Sequence, residues 1–326
     1  MMVSIKQIAN DMGVSTATIS NALTGKGRVS QELTARIRTR ADELGYRPST
    51  AARALKTGQT GILGLVMPDL TNPLFPRIAQ TLSMEADKRK LGILIADSRG
   101  SADEQTEALR RLMDRGVDGL IVVPQKGTTP DPVPVPIAVL NTASDPGNSV
   151  SADHAGGGAL VARHILDIGH RKLVILGGDK VSEVQRDRIA GMRGALPLDI
   201  EVDVFWGEAG VELAAAKVQA GATAIMTTSD LIALQVRTEL MRRQISVPDQ
   251  VSLTGFDNMS FSSIMHPALT TVAQNVDEIA SRAIDIISAK ISGDTPAQEG
   301  ETVPMRLVVR QSTSIPSQLL TRRRPQ

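Results

Sequence analysis

Cysteine is absent, which excludes a disulfide framework, a thiol nucleophile and any cysteine-based metal site. The four histidines, His154, His164, His170 and His266, show no metal-ligand spacing. No G-x-S-x-G nucleophile elbow occurs. Gly177-Gly178 follows an apolar run, but no complete G-x-G-x-x-G or G-K-[ST] loop accompanies it. No catalytic residues, cofactor or metal are therefore expected, and the chain does not read as an enzyme. No run of eighteen consecutive apolar residues is present, so no membrane-spanning helix is expected. The opening residues MMVSIKQIANDMG lack the long apolar core of a secretory signal, so a cytoplasmic location is expected. Only six aromatic residues occur: Tyr46, Phe75, Phe205, Trp206, Phe256 and Phe261.

What is present fits a folded chain of two or three domains. Its 326 residues are too many for one core, and 41% hydrophobic against 22% charged residues argues against disorder. The net charge of +1 conceals a division. Residues 1–57 carry +5 and the remainder −4, although Arg322, Arg323 and Arg324 stand near the end. A small basic head on a mildly acidic body points to a nucleic-acid partner at the head.

Within that head, Ile5, Ile8, Ala9 and Met12 recur at helical spacing, and Gly13 follows where a left-handed residue would stop a helix. Ser15 is placed to cap a second helix over about 16–24, with Ile19 and Leu23 facing inward. Two short helices around a glycine-containing turn describe a helix-turn-helix. Ser30 caps a third helix with a stripe of Leu33, Ile37, Ala41 and Leu44, ending at Gly45. Tyr46 reads as part of this small core. Residues 49–57, STAARALKT, favour helix by composition but are too few to form one alone. They are expected to become helical only when paired on DNA.

From Thr60 the pattern changes. Apolar runs at 62–68, 93–98, 119–124, 137–141, 173–178, 224–229 and 252–258 alternate with helical stretches at 74–91, 104–115, 154–168, 183–195, 210–220, 230–244 and 276–291. Short continuous apolar strands between helices imply parallel sheets covered on both faces. The stretches 128–136 and 144–149 read as loops.

The blocks I-x-x-I-A-x-x-x-G-V-S-x-x-T-I-S-x-A-L, R-V-S, L-G-Y-R-P and A-R-A-L, in this order, resemble the head of the lactose-repressor (LacI/GalR) family of transcriptional regulators. The order of elements after them resembles that family's two-lobed body, a type I periplasmic-binding-protein-like domain of parallel sheets, so the resemblance covers nearly all of residues 3–316. It implies an α + α/β architecture. A three-helix helix-turn-helix head occupies 1–48 and a hinge helix 49–58. An effector-binding and dimerisation domain follows over 59–316, with a flexible tail at 317–326. Lobe one would comprise about 59–153 and 274–303, and lobe two about 154–273 and 304–316.

Carried onto this sequence, the resemblance puts Thr16, Ala17 and Asn21 at base edges, where Asn can pair two-fold with adenine and Ala can touch a thymine methyl. Ser15, Thr18, Ser20 and Arg28 would hold phosphate and set register. Leu55 would wedge into the minor groove, with Arg53 or Lys56 contacting groove or backbone.

Ligands of such sheets bind outside the carboxyl ends of the strands. That rule, with the family pattern, gathers Asp69, Asn72, Phe75, Asn141, Arg188, Ser229, Asp257 and Gln274 at the cleft. Ser229 stands where the family often has Asn. The pair Phe205-Trp206 lies near a loop where relatives place a pocket aromatic, and Trp206 is assigned that role, whereas Phe256 reads as core. A carboxylate, amides and an arginine facing one cleft suit a small polar effector, a sugar or nucleoside above all. The implied partners are pseudo-palindromic double-stranded operator DNA, the small-molecule effector and a second copy of the chain. The dimer is expected to form through exposed apolar faces such as 74–91 and 276–291. The tail lacks a leucine heptad, so no tetramer is expected. The chief alternative is a transporter's solute-binding protein, which shares the body but would need an export signal and no basic head.

Overall fold

The computed structural model describes residues 3–25, 27–46 and 58–317. The segment 49–57, with Arg53, Leu55 and Lys56, and the tail from residue 318 lie outside the described residues. The chain divides into two compact units, Met1–Thr60 and Gly61–Gln326.

The first unit holds α1 (Ile5–Met12), α2 (Thr16–Thr24) and α3 (Gln31–Glu43). Each helix starts at a serine. Ser4 and Gln7 form a reciprocal capping box, with the Ser4 N–H donating to Gln7 Oε1 at 2.8 Å. Ser15 accepts from the Thr18 N–H at 3.0 Å, and Ser30 accepts from the Leu33 N–H at 3.3 Å. Gly13 and Gly25 close the first two helices with φ of 65° and 70°, where a side chain would be strained. The core is Ile8, Ala9, Ile19, Ala22, Ile37 and Ala41, with Leu23, Leu33, Leu44 and Tyr46 packed against it. Alanine at three of these six places lets the helices approach closely. An Arg40–Asp11 ion pair ties α3 to α1, and Arg40 also reaches Glu43 at 2.8 Å.

The second unit is built on two four-stranded parallel sheets. One contains β1 (Ile62–Met67), β2 (Gly92–Asp97), β3 (Gly119–Val122) and β4 (Ile137–Val139), in the order β2-β1-β3-β4. Its crossovers are α4 (Leu74–Lys88) and α5 (Ala102–Asp114). A short β5 (Ser151–Ala152) leads to α6 (His154–Asp167). The second sheet contains β6 (Lys172–Gly177), β7 (Glu201–Trp206), β8 (Ala224–Thr227) and β9 (Ser252–Thr254), in the order β7-β6-β8-β9. Its crossovers are α7 (Glu183–Gly194), α8 (Gly207–Gln219) and α9 (Asp230–Arg242). After a 3-10 turn at Ser260–Ser263 come β10 (Thr271–Ala273), α10 (Val276–Ser292), β11 (Thr302–Val303) and β12 (Arg306–Val308).

The last strands stitch the lobes together. β11 pairs in parallel with β5 beside the first sheet, and β10 pairs antiparallel with β12 beside the second. The chain therefore passes from lobe to lobe at 152–154, 273–276 and 303–306. All seven apolar runs became strands: β1 is buried from Leu63 to Met67 and β3 throughout, whereas β2, at the sheet edge, is only partly buried.

Two features differ from the sequence reading. β7, EVDVFW, alternates charged and apolar residues because it is an edge strand, so it offers no continuous apolar run. The apolar face of 276–292 is not exposed: Ile279, Ala280, Ala283, Ile284 and Ile287 pack inside lobe one. On α4, Met84 remains exposed. Among the described residues no helix is long and apolar enough to cross a membrane.

Candidate functional site

In a sheet ordered 2-1-3-4, the chain winds in opposite directions from β1 and β3, leaving a crevice beyond their carboxyl ends. The second sheet repeats this at β6 and β8. The residues just past these four strands are Pro68-Asp69, Val123–Lys126, Asp179 and Thr228-Ser229, and all line one cavity of about 590 Å³ between the lobes.

Its most buried charged feature is an ion pair. Arg188 from α7 donates through Nη2 to Asp257 Oδ1 at 2.8 Å, and the two side chains are only 4% and 7% exposed. Arg188 also donates through Nη1 to the Thr228 carbonyl at 2.7 Å and through Nε to His154 Nδ1 at 3.3 Å. Its guanidinium lies 4.1 Å from the centre of the buried Phe256 ring. Burial, with the Arg188 charge second, holds the His154 pKa well below the usual histidine value. His154 is thus neutral and can offer Nδ1 as an acceptor. Gln274 Nε2 donates to Asp257 Oδ1 at 2.8 Å. Asp257 and Asn258 both have positive φ, 98° and 48°, which Asp and Asn tolerate better than most residues. This bend aims the carboxylate at the arginine.

The rim carries interlobe contacts. Asn141 Nδ2 donates to Glu183 Oε2 and to Asp145 Oδ2, both at 2.9 Å. Lys126 Nζ lies 3.4 Å from Asp179 Oδ2, and Arg77 Nη1 donates to the Asn258 carbonyl at 3.1 Å. Asp69 accepts from the Thr71 N–H and hydroxyl at 2.8 and 2.6 Å, which keeps its carboxyl below the ordinary aspartate range. Asn72 Oδ1 accepts from the Leu74 N–H, and Ser229 Oγ accepts from the Ile232 N–H as the cap of α9.

Eight of the nine effector positions named from sequence thus meet at this cavity: Asp69, Asn72, Phe75, Asn141, Arg188, Ser229, Asp257 and Gln274. Trp206 does not line it. It ends β7, half-buried, with its ring over Gly177 so closely that a Cβ there would lie 2.4 Å away. Several lining residues escaped the sequence reading: His154, Gln125, Lys126, Glu183 and Gln185. The strand-end rule already pointed at Gln125 and Lys126, which directly follow the run GLIVVP. Glu183 and Gln185 open a helix and carried no such signal.

On the first unit, α2 displays Ser15, Thr16 and Ala17 exposed, with Thr18, Ser20 and Asn21 half-buried, and Arg28 is exposed just beyond it. Ser15 Oγ and Thr18 Oγ1 are 2.8 Å apart.

Residues 4–49 match the bacterial regulatory proteins of the lacI family, and residues 162–313 match a periplasmic binding protein-like domain. The chain thus joins a lacI-type helix-turn-helix domain to a periplasmic-binding-protein-like domain. Its relatives are DNA-binding transcriptional regulators of the lacI family. The HTH-type transcriptional regulator DegA of Bacillus subtilis (strain 168) is 28% identical, over 96% of this chain and 99% of that relative. The ribose operon repressor of Escherichia coli (strain K12) is 27% identical, over 91% and 96% respectively. The lac repressor dimer bound to operator and the anti-inducer ONPF shares the fold, with a TM-score of 0.82 at 23% identity over 96% of this chain and 100% of that one. A LacI family regulator from Enterococcus faecium with bound ribose has a TM-score of 0.65 at 26% identity, over 78% and 99%.

Proposed function

We propose that this chain is a repressor of the lacI family that reads a pseudo-palindromic operator as a homodimer in the cytoplasm, with its operator affinity set by a small polar metabolite of the sugar or nucleoside class. The observation that carries this reading is the joining of a helix-turn-helix unit to a cavity at the switch points of two parallel sheets. A transporter's solute-binding protein would share the cavity, but the match of residues 4–49 to a regulator's DNA-binding domain speaks against it.

In this reading residues 1–48 are the DNA-binding domain, 49–58 the hinge and 59–316 the effector and dimerisation domain. Thr16, Ala17 and Asn21 read base edges, and Ser15, Thr18, Ser20 and Arg28 hold phosphate. Leu55, flanked by Arg53 and Lys56, opens the minor groove. Asp69, Asn72, Phe75, Asn141, Arg188, Ser229, Asp257 and Gln274 face the effector. The two lobes touch through Asn141–Glu183, Lys126–Asp179 and Arg77–Asn258. A ligand seated between them changes the balance of these contacts and hence the angle between lobes. Its effect on DNA affinity equals its preference between the two body states, about 1–3 kcal/mol in allosteric systems.

The test is fluorescence anisotropy on the DNA upstream of the chain's own gene, at several salt concentrations and with a panel of metabolites. The proposal expects saturable, sequence-selective binding that one metabolite class shifts at least about five-fold. Binding without sequence preference, or indifference to every saturating ligand, would overturn it.

A further inference from the structure

Arg188 is held from three sides, and its holders come from different parts of the fold. A guanidinium carries five N–H groups. Three are spent within the protein: Nη1 on the Thr228 carbonyl, Nη2 on Asp257 Oδ1 and Nε on His154 Nδ1. One N–H on each terminal nitrogen is left for a ligand, and Arg188 lines the cavity. Thr228 and Asp257 belong to lobe two, as Arg188 does. His154 stands where the chain first crosses between the lobes, as the first residue of α6.

Two neighbours in sequence set the place of His154. Asp153 caps α6 by accepting from the Gly156 N–H at 2.8 Å, which fixes where the helix starts. Gly158 lies one turn on along the same face, where its missing Cβ lets α6 touch the Arg188 backbone. That close crossing brings the His154 imidazole within 3.3 Å of Arg188 Nε.

The ring is buried and engaged at both ends. A neutral imidazole has one acceptor and one N–H. With Nδ1 accepting from Arg188, the N–H is on Nε2, and the Asn141 carbonyl is the acceptor beside the ring. Asn141, just past β4, is itself fixed: its N–H donates to Asn148 Oδ1 at 3.0 Å and its side chain to Glu183 and Asp145. A row of hydrogen bonds thus runs from lobe one through His154 to Arg188 and Asp257 in lobe two. A protonated ring could not serve, since Nδ1 would become a donor facing the Arg188 N–H.

We propose that His154 is a positioning residue: it holds Arg188 in the orientation that meets the effector, and through Asn141 it ties that orientation to lobe one. This rests on the reading of the cavity as the effector site and adds to it a residue that acts through Arg188.

The experiment uses the full chain, labelled with 15N in arginine and histidine, as wild type, His154→Gln and His154→Leu. Glutamine keeps an acceptor and a donor, whereas leucine keeps bulk alone. Arg188→Lys identifies the Arg188 Nε–H resonance by its disappearance. In the wild type the His154 ring should report the Nε2–H tautomer, and Arg188 Nε–H should exchange slowly with solvent. His154→Gln should keep that protection, and His154→Leu should speed the exchange at least about ten-fold. Calorimetry with common pentoses, hexoses and ribonucleosides supplies the functional readout. A compound that binds the wild type should bind His154→Gln within about three-fold and His154→Leu at least about ten-fold more weakly. A histidine that only supports the fold would lower the unfolding temperature of His154→Leu and leave both its Arg188 exchange and its affinity unchanged, which overturns the proposal. A proton on Nδ1 in the wild type overturns it too, and that measurement needs no variant to fold. If no compound binds, the sugar or nucleoside reading falls, while the tautomer and the exchange rates still decide whether His154 holds Arg188.

Discussion

Arg188 lies on the crossover helix α7 and Asp257 in the loop just past β9, yet their side chains meet at 2.8 Å in a nearly solvent-inaccessible part of the cavity wall. A buried pair of this kind stabilises little over an apolar substitute, because both charges lose their hydration. Breaking it is another matter. Asp257→Asn keeps the side-chain shape and tolerates the positive φ, but leaves Arg188 buried without its counter-charge. It should cost about 3–5 kcal/mol in urea unfolding. The double variant Arg188→Met with Asp257→Asn should recover part of that loss. Strict additivity of the two single changes would show that the pair is not coupled.

Two buried titratable groups in lobe two pull stability in opposite directions with pH. Burial raises the Asp230 carboxyl to about 6, although Ser262, Thr271 and the Met259 N–H donate to it. The folded state then holds a proton that the unfolded state releases, so this group costs stability as pH climbs from about 4 to about 6. Burial lowers His170 to about 4, with its ring nitrogens facing Thr223, Ser252 and the Ser314 carbonyl. That stability is present above the unfolded histidine value and is lost as pH falls through about 4. Asp230→Asn should therefore steepen the loss of stability on acidification between pH 6 and 4, and His170→Gln should flatten it. Chemical denaturation at half-unit pH steps separates the two slopes. Parallel curves for wild type and both variants would refute the assignment.

The helix-turn-helix unit separates folding from recognition at neighbouring residues. Ser15 caps α2, so Ser15→Ala should lower the stability of residues 1–60 by about 1 kcal/mol, read by hydrogen exchange of α2 amides. Arg28 lies exposed just past the helix, and in the proposed complex it touches phosphate. Arg28→Ala should weaken operator and random DNA alike and reduce the slope of log affinity against log salt by about 1. Asn21→Ala should instead cost operator affinity selectively, by about 1–3 kcal/mol. An unchanged salt slope for Arg28→Ala would remove its phosphate role.

Legibility in the sequence followed burial. Strands such as β1 and β3 are buried on both faces, so their apolar runs declared them. β7 is an edge strand with Glu201 and Asp203 interleaved, so only its pairing with β6 reveals it. The same strand explains Trp206. Its place near a loop where relatives carry a pocket aromatic suggested the cavity, but the register with Gly177 lays the ring over that glycine instead. Asp257 was legible as a strand-end carboxylate. That its charge is met by Arg188 depends on where α6 and α7 cross, which no local pattern states. The stripe on 276–292 was read correctly as apolar, but sequence could not tell a partner subunit from lobe one as the surface that covers it.

That crossing is itself open to test. α6 and α7 approach backbone to backbone through two glycines. A Cβ on Gly158 would lie 2.1 Å from the Arg188 carbonyl oxygen, and one on Gly191 would lie 1.9 Å from the Ala155 carbonyl oxygen. Neither obstacle is a side chain that can turn aside, so the helices must separate. Gly158→Ala and Gly191→Ala should each destabilise the body by at least about 2 kcal/mol, despite the better helix propensity of alanine. Because α7 carries Arg188, the same displacement should weaken effector binding at least about ten-fold. Gly194→Ala provides the control on the same helix, since its Cβ meets nothing within 4 Å, and it should be neutral or stabilise by up to about 1 kcal/mol. Thermal unfolding of the three variants beside wild type decides the matter. If Gly158→Ala and Gly191→Ala melt with Gly194→Ala, the close crossing does not hold Arg188 in place.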